Sequence, residues 1–520
     1  MMRRNNMKKY VYIILLLMLF NGCREAVPDQ YVDMMTTIRI EPDYRDTVIP
    51  CNIAPLNFRI QEEADDYLTC ISGSSGEKLY CYDRDVKVEL KLWRSLLDAN
   101  KGSEIKFEIY LKKQGIWYKY PVIKNSVSPN PIDGYLSYRL IEPSYVTYGE
   151  LSIRQRDLTS FDECDIYNNQ VLGGKGKSQC INCHSYQNYR TDHMQFHGRG
   201  DYGGTVIASG GKLRKVNLKT EETVSGGVYP AWHPVRNLIA YSVNKTGQLF
   251  HSKDLQKVEV QDTYSGLVLY DVDSNRLTVV LNDSNSLATF PSWSPDGRML
   301  YYAAAFFRPS GKDRSAEMGM RYRDLKYNIM RIPFDAETMT FGSPDTVYNA
   351  AMRGRSATFP RVSPDGNYLL FTEADYGTFH IWHKSADLYL MNLRTKSVRP
   401  LEEVNSRDVE SYHSWSSNGR WIVFSSRRDD GSYTRPYIAG FTTAGRFTKP
   451  FILPQEETGF YACFLKSFNI PEFMVEPVKF SVREFAGAFQ GDAIYAEPAT
   501  TSDVRSNNLS NTSLKPQKRG

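Results

Sequence analysis

Two cysteines and a histidine stand together at Cys180-Ile181-Asn182-Cys183-His184. Thiols at this spacing can bond the two vinyl groups of a porphyrin while the next histidine ligates its iron, which is the c-type haem attachment pattern. A six-coordinate iron needs a second ligand, and His193, Met194 and His197 follow close behind. Met194 would raise the potential and His197 would lower it; either is the expected second axial ligand. The expectation is one covalent haem c, for electron transfer or sensing, and with it a redox partner. The same residues also allow a disulfide or a metal site completed by Cys164, His193 or His197, although structural zinc usually brings a second spaced pair of ligands. A redox-active Cys-x-x-Cys would open a helix in a βαβ unit, and the sequence offers none.

A second group of residues is suited to recognition. His380, Trp382 and His383 lie in one inter-strand segment, and Arg427, Arg428, Asp429, Asp430, Tyr433 and Arg435 lie in another. Aromatic and cationic side chains so clustered can bind a protein or glycan partner, while as plain structure they are solvated hairpin tips and core. Hydrolase chemistry is not indicated: there is no Gly-x-Ser-x-Gly elbow and no His-Glu-x-x-His. Asp271-Val272-Asp273-Ser274-Asn275 lacks the glycine and glutamate of a calcium loop.

These residues must be held by some framework, and a repeat supplies it. One block recurs as Tyr229-Pro-Ala-Trp-His-Pro, Phe290-Pro-Ser-Trp-Ser-Pro-Asp-Gly, Phe359-Pro-Arg-Val-Ser-Pro-Asp-Gly and Tyr412-His-Ser-Trp-Ser-Ser-Asn-Gly. Each copy runs into an apolar strand, and Pro-Asp-Gly or Asn-Gly gives the preset and positive φ angles of a tight hairpin. A second hairpin follows, as in Asp387-Leu-Tyr-Leu-Met-Asn-Leu. Four antiparallel strands per copy make a propeller blade. The Ser-Pro-Asp-Gly turn with these strands resembles the repeat of the TolB-like family, also called PD40, over about residues 229–454. The resemblance implies an all-β, TolB-like β-propeller, and says little about function because propellers host many activities. With a partial blade at 204–218 and a strand from the N-terminal region, the ring closes at six; five or seven stay open.

The chain starts with Arg3, Arg4, Lys8 and Lys9, an apolar run from Val11 to Phe20, and Asn21-Gly22-Cys23. That run is shorter than the roughly 20 residues a membrane span needs, and its pattern is a secretory signal. Gly22-Cys23 resembles a bacterial lipobox, which implies a lipid on Cys23 and a protein anchored to a membrane of the cell envelope, on its periplasmic or surface side. Thirty-five Tyr and 25 Phe favour strands, and a net charge of +5 with no basic block gives no support to a nucleic-acid partner. Cys70 and Cys81 flank Gly73-Ser74-Ser75-Gly76 and can pair across a hairpin or stay as two apolar thiols. The expected division is a signal at 1–22, a linker at 23–35, a smaller β-rich domain at 36–170 with a short helix from Val88 to Ala99, a connector carrying the Cys-x-x-Cys-His at 171–202, the propeller at 203–478 and a disordered tail at 479–520.

Overall fold

The computed structural model describes residues 27–499, except 143–148, 174–176, 252, 254, 255 and 257. Cys23, with its expected lipid, lies outside the described residues. Among them, no helix is long and apolar enough to cross a membrane.

Hairpin turns set the blades, numbered 1 to 6 around the ring with inner strands at Ser467–Met474, Gln179–Gln187, Val228–Trp232, Ser286–Trp293, Ser356–Val362 and Glu410–Trp415. In blade 4, Ser294 accepts from Met299 N at 3.0 Å, and Gly297 N donates to Ser294 O at 2.9 Å with Gly297 at φ 71°. Ser363 with Gly366, and Ser416 with Gly419, repeat the arrangement in blades 5 and 6. Blade 3 puts His233 at the serine position, where Nδ1 accepts from Arg236 N at 2.9 Å. Blade 2 turns on Asn188 and Tyr189, at φ 47° and 67°, the pair of positive angles a two-residue hairpin uses.

The result is an all-β propeller of six four-stranded blades around one axis. Blades 3 to 6 have their inner strands at Val228–Trp232, Ser286–Trp293, Ser356–Val362 and Glu410–Trp415. Blade 2 is Gln179–Gln187, Arg190–Gly200, Gly204–Ser209 and Lys212–Asn217. Blade 1 takes its three outer strands, Tyr135–Ile141, Leu151–Asp157 and Glu163–Asn168, from one end of the ring sequence. Its inner strand, Ser467–Met474, comes from the other end and pairs antiparallel with Tyr135–Ile141. Two expected boundaries are therefore corrected. Residues 135–168 belong to the propeller, and 171–202 is no connector but mostly the first two strands of a blade. Both were hidden because blade 1 is split across the sequence and blade 2 lacks the Ser-Pro-Asp-Gly turn.

The preceding domain is β-rich, with one sheet branching at Glu104–Lys113 and a helix at Leu90–Ala99. The helix buries Trp93, Leu96 and Leu97, and Trp93 Nε1 donates to Ile53 O at 2.9 Å. The domain shares one apolar cluster with blades 5 and 6. Ser417 N donates to Asp133 at 2.7 Å and Asn418 Nδ2 to Pro131 O at 2.7 Å across the same junction. Cys70 faces Tyr80, and Cys81 faces Thr69, so successive positions of the hairpin carry the two thiols; both are free.

The expected disordered tail is also corrected as far as Pro498. Ser481 and Glu484 form a capping box that starts a helix at Val482–Gln490, and its Phe485 and Phe489 are buried between blades 1 and 2. Ile494–Tyr495 and Glu497–Pro498 then pair parallel with the outermost strands of blades 2 and 3. These short pairings cover sheet edges that would otherwise be left open.

Candidate functional site

Every inner strand carries one residue in the left-handed region: Cys183 (φ 58°), Tyr229 (49°), Phe290 (52°), Phe359 (54°), Tyr412 (49°) and Ile470 (54°). Non-glycine residues rarely adopt this conformation. Each coincides with a shift in strand register, so the strand bulges and turns that side chain toward the axis. The aromatic members stack in series, with ring centroids 4.4 Å apart for Tyr229 and Phe290, 4.1 Å for Phe290 and Phe359, and 5.0 Å for Phe359 and Tyr412. Together with Cys183 and Ile470 they plug the channel, leaving beside them a cavity of about 60 Å³. Phe290 has a stacked neighbour on each side and is 5% exposed. Its replacement by alanine is expected to cost ~3 kcal/mol, read as a lower urea midpoint at unchanged slope.

On the side of the hairpin turns, the plug floors a recess of about 370 Å³. This lies in the range of roughly 300–1,000 Å³ typical of ligand sites. Two positions past each plug residue the six blades present Ser185, Ala231, Ser292, Arg361, Ser414 and Glu472. Four of these are small and leave the space; Arg361 and Glu472 are the charged exceptions. Arg361 Nη2 bonds Glu472 Oε1 at 2.7 Å, and Ser414 Oγ donates to Glu472 Oε2 at 3.0 Å. Both oxygens of Glu472 are thus engaged, whereas the guanidinium uses one of its five N–H donors on this carboxylate. Trp232, Trp293 and Trp415 wall the recess with indole edges, and Asn188 and Tyr189 overhang it.

The expected haem residues do not gather around a porphyrin-sized space. Cys180 packs against the apolar cluster between blades 1 and 2, while Cys183 lines the small channel cavity. Met194 belongs to that same cluster and is wholly buried. His197 lies on the other side of the sheet, beside Gly226 at the entry to blade 3, with Nδ1 3.0 Å from Thr205 Oγ1. Burial holds the His197 imidazole down at about 4 and, with Arg139 nearby, the His184 imidazole at about 3. Neither ring nitrogen of His184 has a hydrogen-bond partner of good geometry. That orphaned ring suits a ligand role, but the two thiols face different compartments and about 60 Å³ cannot admit the macrocycle. The residues as folded do not fit a covalent haem. Among the described residues, no group of three or more His, Cys, Asp or Glu is placed to hold a metal ion either.

The expected recognition residues lie at the opposite mouth and are largely occupied with one another. His380 is fully buried, 2.9 Å from Thr358 Oγ1 and 3.1 Å from Gly377 O. His383 is 1% exposed and 3.5 Å from Glu259. Arg427 lies over Trp382 at 4.4 Å, and Arg435 over Tyr433 at 5.1 Å. Arg428 bonds Glu410 at 3.1 Å and Val404 O at 2.6 Å. Burial pushes the Glu410 carboxyl up, and Arg428 works against it. His380 and His383 are thus packing residues and offer no surface to a partner. The recess at the other mouth was not singled out in the sequence. Its one signal is Arg361, a charge where the other three copies legible in the sequence place alanine or serine.

No protein-family model matches the sequence, and no curated protein does. Solved structures similar to it include prolyl oligopeptidase B from Galerina marginata, at 10% identity over 78% of this chain and 54% of that one, with a TM-score of 0.34. A puromycin-hydrolyzing peptidase of Mycobacterium tuberculosis is 9% identical over 60% of this chain and 46% of that one, with a TM-score of 0.31. The β-propeller domain of Cps50 (Swd1) from Myceliophteria thermophila is 12% identical over 64% and 92%, with a TM-score of 0.29. The chain spans about half the length of the two peptidases. The propeller assignment rests on the six blades themselves.

Proposed function

We propose that this propeller is a binding protein of the bacterial envelope, tethered by a lipid on Cys23, whose recess over the plugged channel takes the end of a glycan. The observation that carries this reading is the recess itself, built from all six blades and floored by the plug. Its chemistry favours a neutral, hydroxyl-bearing group. Arg361 and Glu472 cancel in charge, the remaining guanidinium N–H groups suit oxygen acceptors, and Ser292 and Asn188 add polar contacts. A protein partner is the competing outcome. The haem-free form of the chain is sufficient for this role.

The test is a glycan array probed with the full-length protein in detergent, followed by titration of tryptophan fluorescence, since three of the seven tryptophans wall the recess. Arg361→Ala and the recess-filling Ser292→Phe are each expected to weaken binding by at least ~10-fold, about 1.4 kcal/mol. Arg428→Ala, at the far mouth, is expected to leave it unchanged. Glycan binding lost only in Arg428→Ala, or no glycan bound while a protein is captured through the recess, would refute the reading.

A further inference from the structure

The six inner strands carry one repeat in register. Starting from the left-handed residue it reads Cys183-His184-Ser185-Tyr186, Tyr229-Pro230-Ala231-Trp232, Phe290-Pro291-Ser292-Trp293, Phe359-Pro360-Arg361-Val362, Tyr412-His413-Ser414-Trp415 and Ile470-Pro471-Glu472-Phe473. The first residue plugs the channel, the third edges the recess and the fourth is an aromatic or valine. Four of six second positions are proline, which has no N–H, so the bulge makes no demand for a donor there. The other two are His184 and His413, in the blades on either side of blade 1. Both are 2% exposed, and burial holds both imidazoles at about 3. His413 is fixed by its Nε2, 3.2 Å from Leu370 O.

We infer that Cys180-Ile181-Asn182-Cys183-His184 is the second blade's copy of this inner-strand repeat, with Cys183 as the sixth member of the plug and His184 as the counterpart of His413, and that it carries no covalent haem. Three features of the fold favour this over attachment. Cys180 and Cys183 face an inter-blade cluster and the channel respectively. The segment is paired from Gln179 to Gln187 with Arg190–Gly200, so gathering both thiols on one macrocycle would strip an inner strand from its blade. The bulge at Cys183 is shared with five blades that have no such cysteine pair. The inference is independent of what the recess binds.

The experiment uses the full chain with its own signal, expressed in a host that matures a control c-type cytochrome. A pyridine haemochrome spectrum of the denatured protein is expected to show no covalent haem, in the parent as in Cys180→Ser. His184→Pro, which installs the residue of four other blades, is expected to melt within about 4 °C of the parent. Cys183→Ile, which installs the residue of blade 1, should do the same. Asn182→Pro, at a position of the same strand whose N–H faces His197 across the ladder, should lose more than about 10 °C or fail to accumulate, because proline there removes a ladder bond. A haem spectrum that disappears in Cys180→Ser would overturn the inference. So would a His184→Pro protein as damaged as Asn182→Pro, even with no haem present.

Discussion

At pH 5 the protein is expected to unfold at a much lower urea concentration than at pH 7.5. Burial holds His184 and His413 at about 3, His197 and His233 at about 4, and His380 well below its ordinary value. An unfolded histidine takes up its proton near pH 6.5. Between pH 6.5 and about 4 the unfolded chain therefore binds protons that the folded one refuses, and stability falls as the pH is lowered. Buried carboxyls oppose this, among them Asp133, Glu410 and Asp429, which burial also pushes up. Burial raises Asp262 and Asp387 to about 6, so folding gains from their protons below that pH and loses the gain above it. The five imidazoles outweigh these carboxyls and leave a net loss of roughly a few kcal/mol from pH 7.5 to 5. His413→Gln should flatten the dependence by about one proton. An equal or higher midpoint at pH 5 would show that these imidazoles reach water in the folded protein.

Removal of the closing strand should be more severe. A chain ending at Lys466 lacks the inner strand of blade 1 and the helix at Val482–Gln490. It uncovers the backbone edge of Tyr135–Ile141 and deletes Phe468, Phe473, Met474, Phe485 and Phe489, all at most 1% exposed. At about 1.5–3 kcal/mol for each buried side chain, these five alone match the whole stability of a typical domain. The expected result is a protein without a cooperative thermal transition and open to trypsin. A synthetic peptide of residues 467–474 should bind this chain and restore part of its protection, because the vacated edge is a template for that strand. A truncated chain that melts cooperatively at the parent's temperature would mean that the ring holds without its seam.

Blades 3 to 6 were legible because their turn chemistry is local: serine, proline or asparagine, and glycine fall at fixed offsets from an apolar strand. Blade 2 was not, since Asn188-Tyr189 makes its turn without glycine and Cys183 stands where blades 3 to 6 show an aromatic ring. The cysteine pair therefore reads as chemistry in the sequence, while the fold sets Cys183 at the channel position of the repeat. Blade 1 could not be assembled from sequence alone, because its inner strand begins 326 positions after Ile141, at Ser467. The helix at Val482–Gln490 was announced by Ser481 and Glu484, but the polar residues around it masked its short apolar face. Arg361 and Glu472 meet only through ring closure, so their pairing left no local trace.

The same closure sets a schedule for folding. Ser137 donates to Glu472 O across 335 positions of sequence, and every blade lies between them. Such distant pairing must offset a large loop entropy before it gains any contact, which makes ring formation slow relative to the hairpins. The blades can form one by one as the chain appears, yet the first must wait for the last with one edge of Tyr135–Ile141 unpaired. Until the final strand arrives, that open edge can pair with a second copy of the chain as readily as with its own seam.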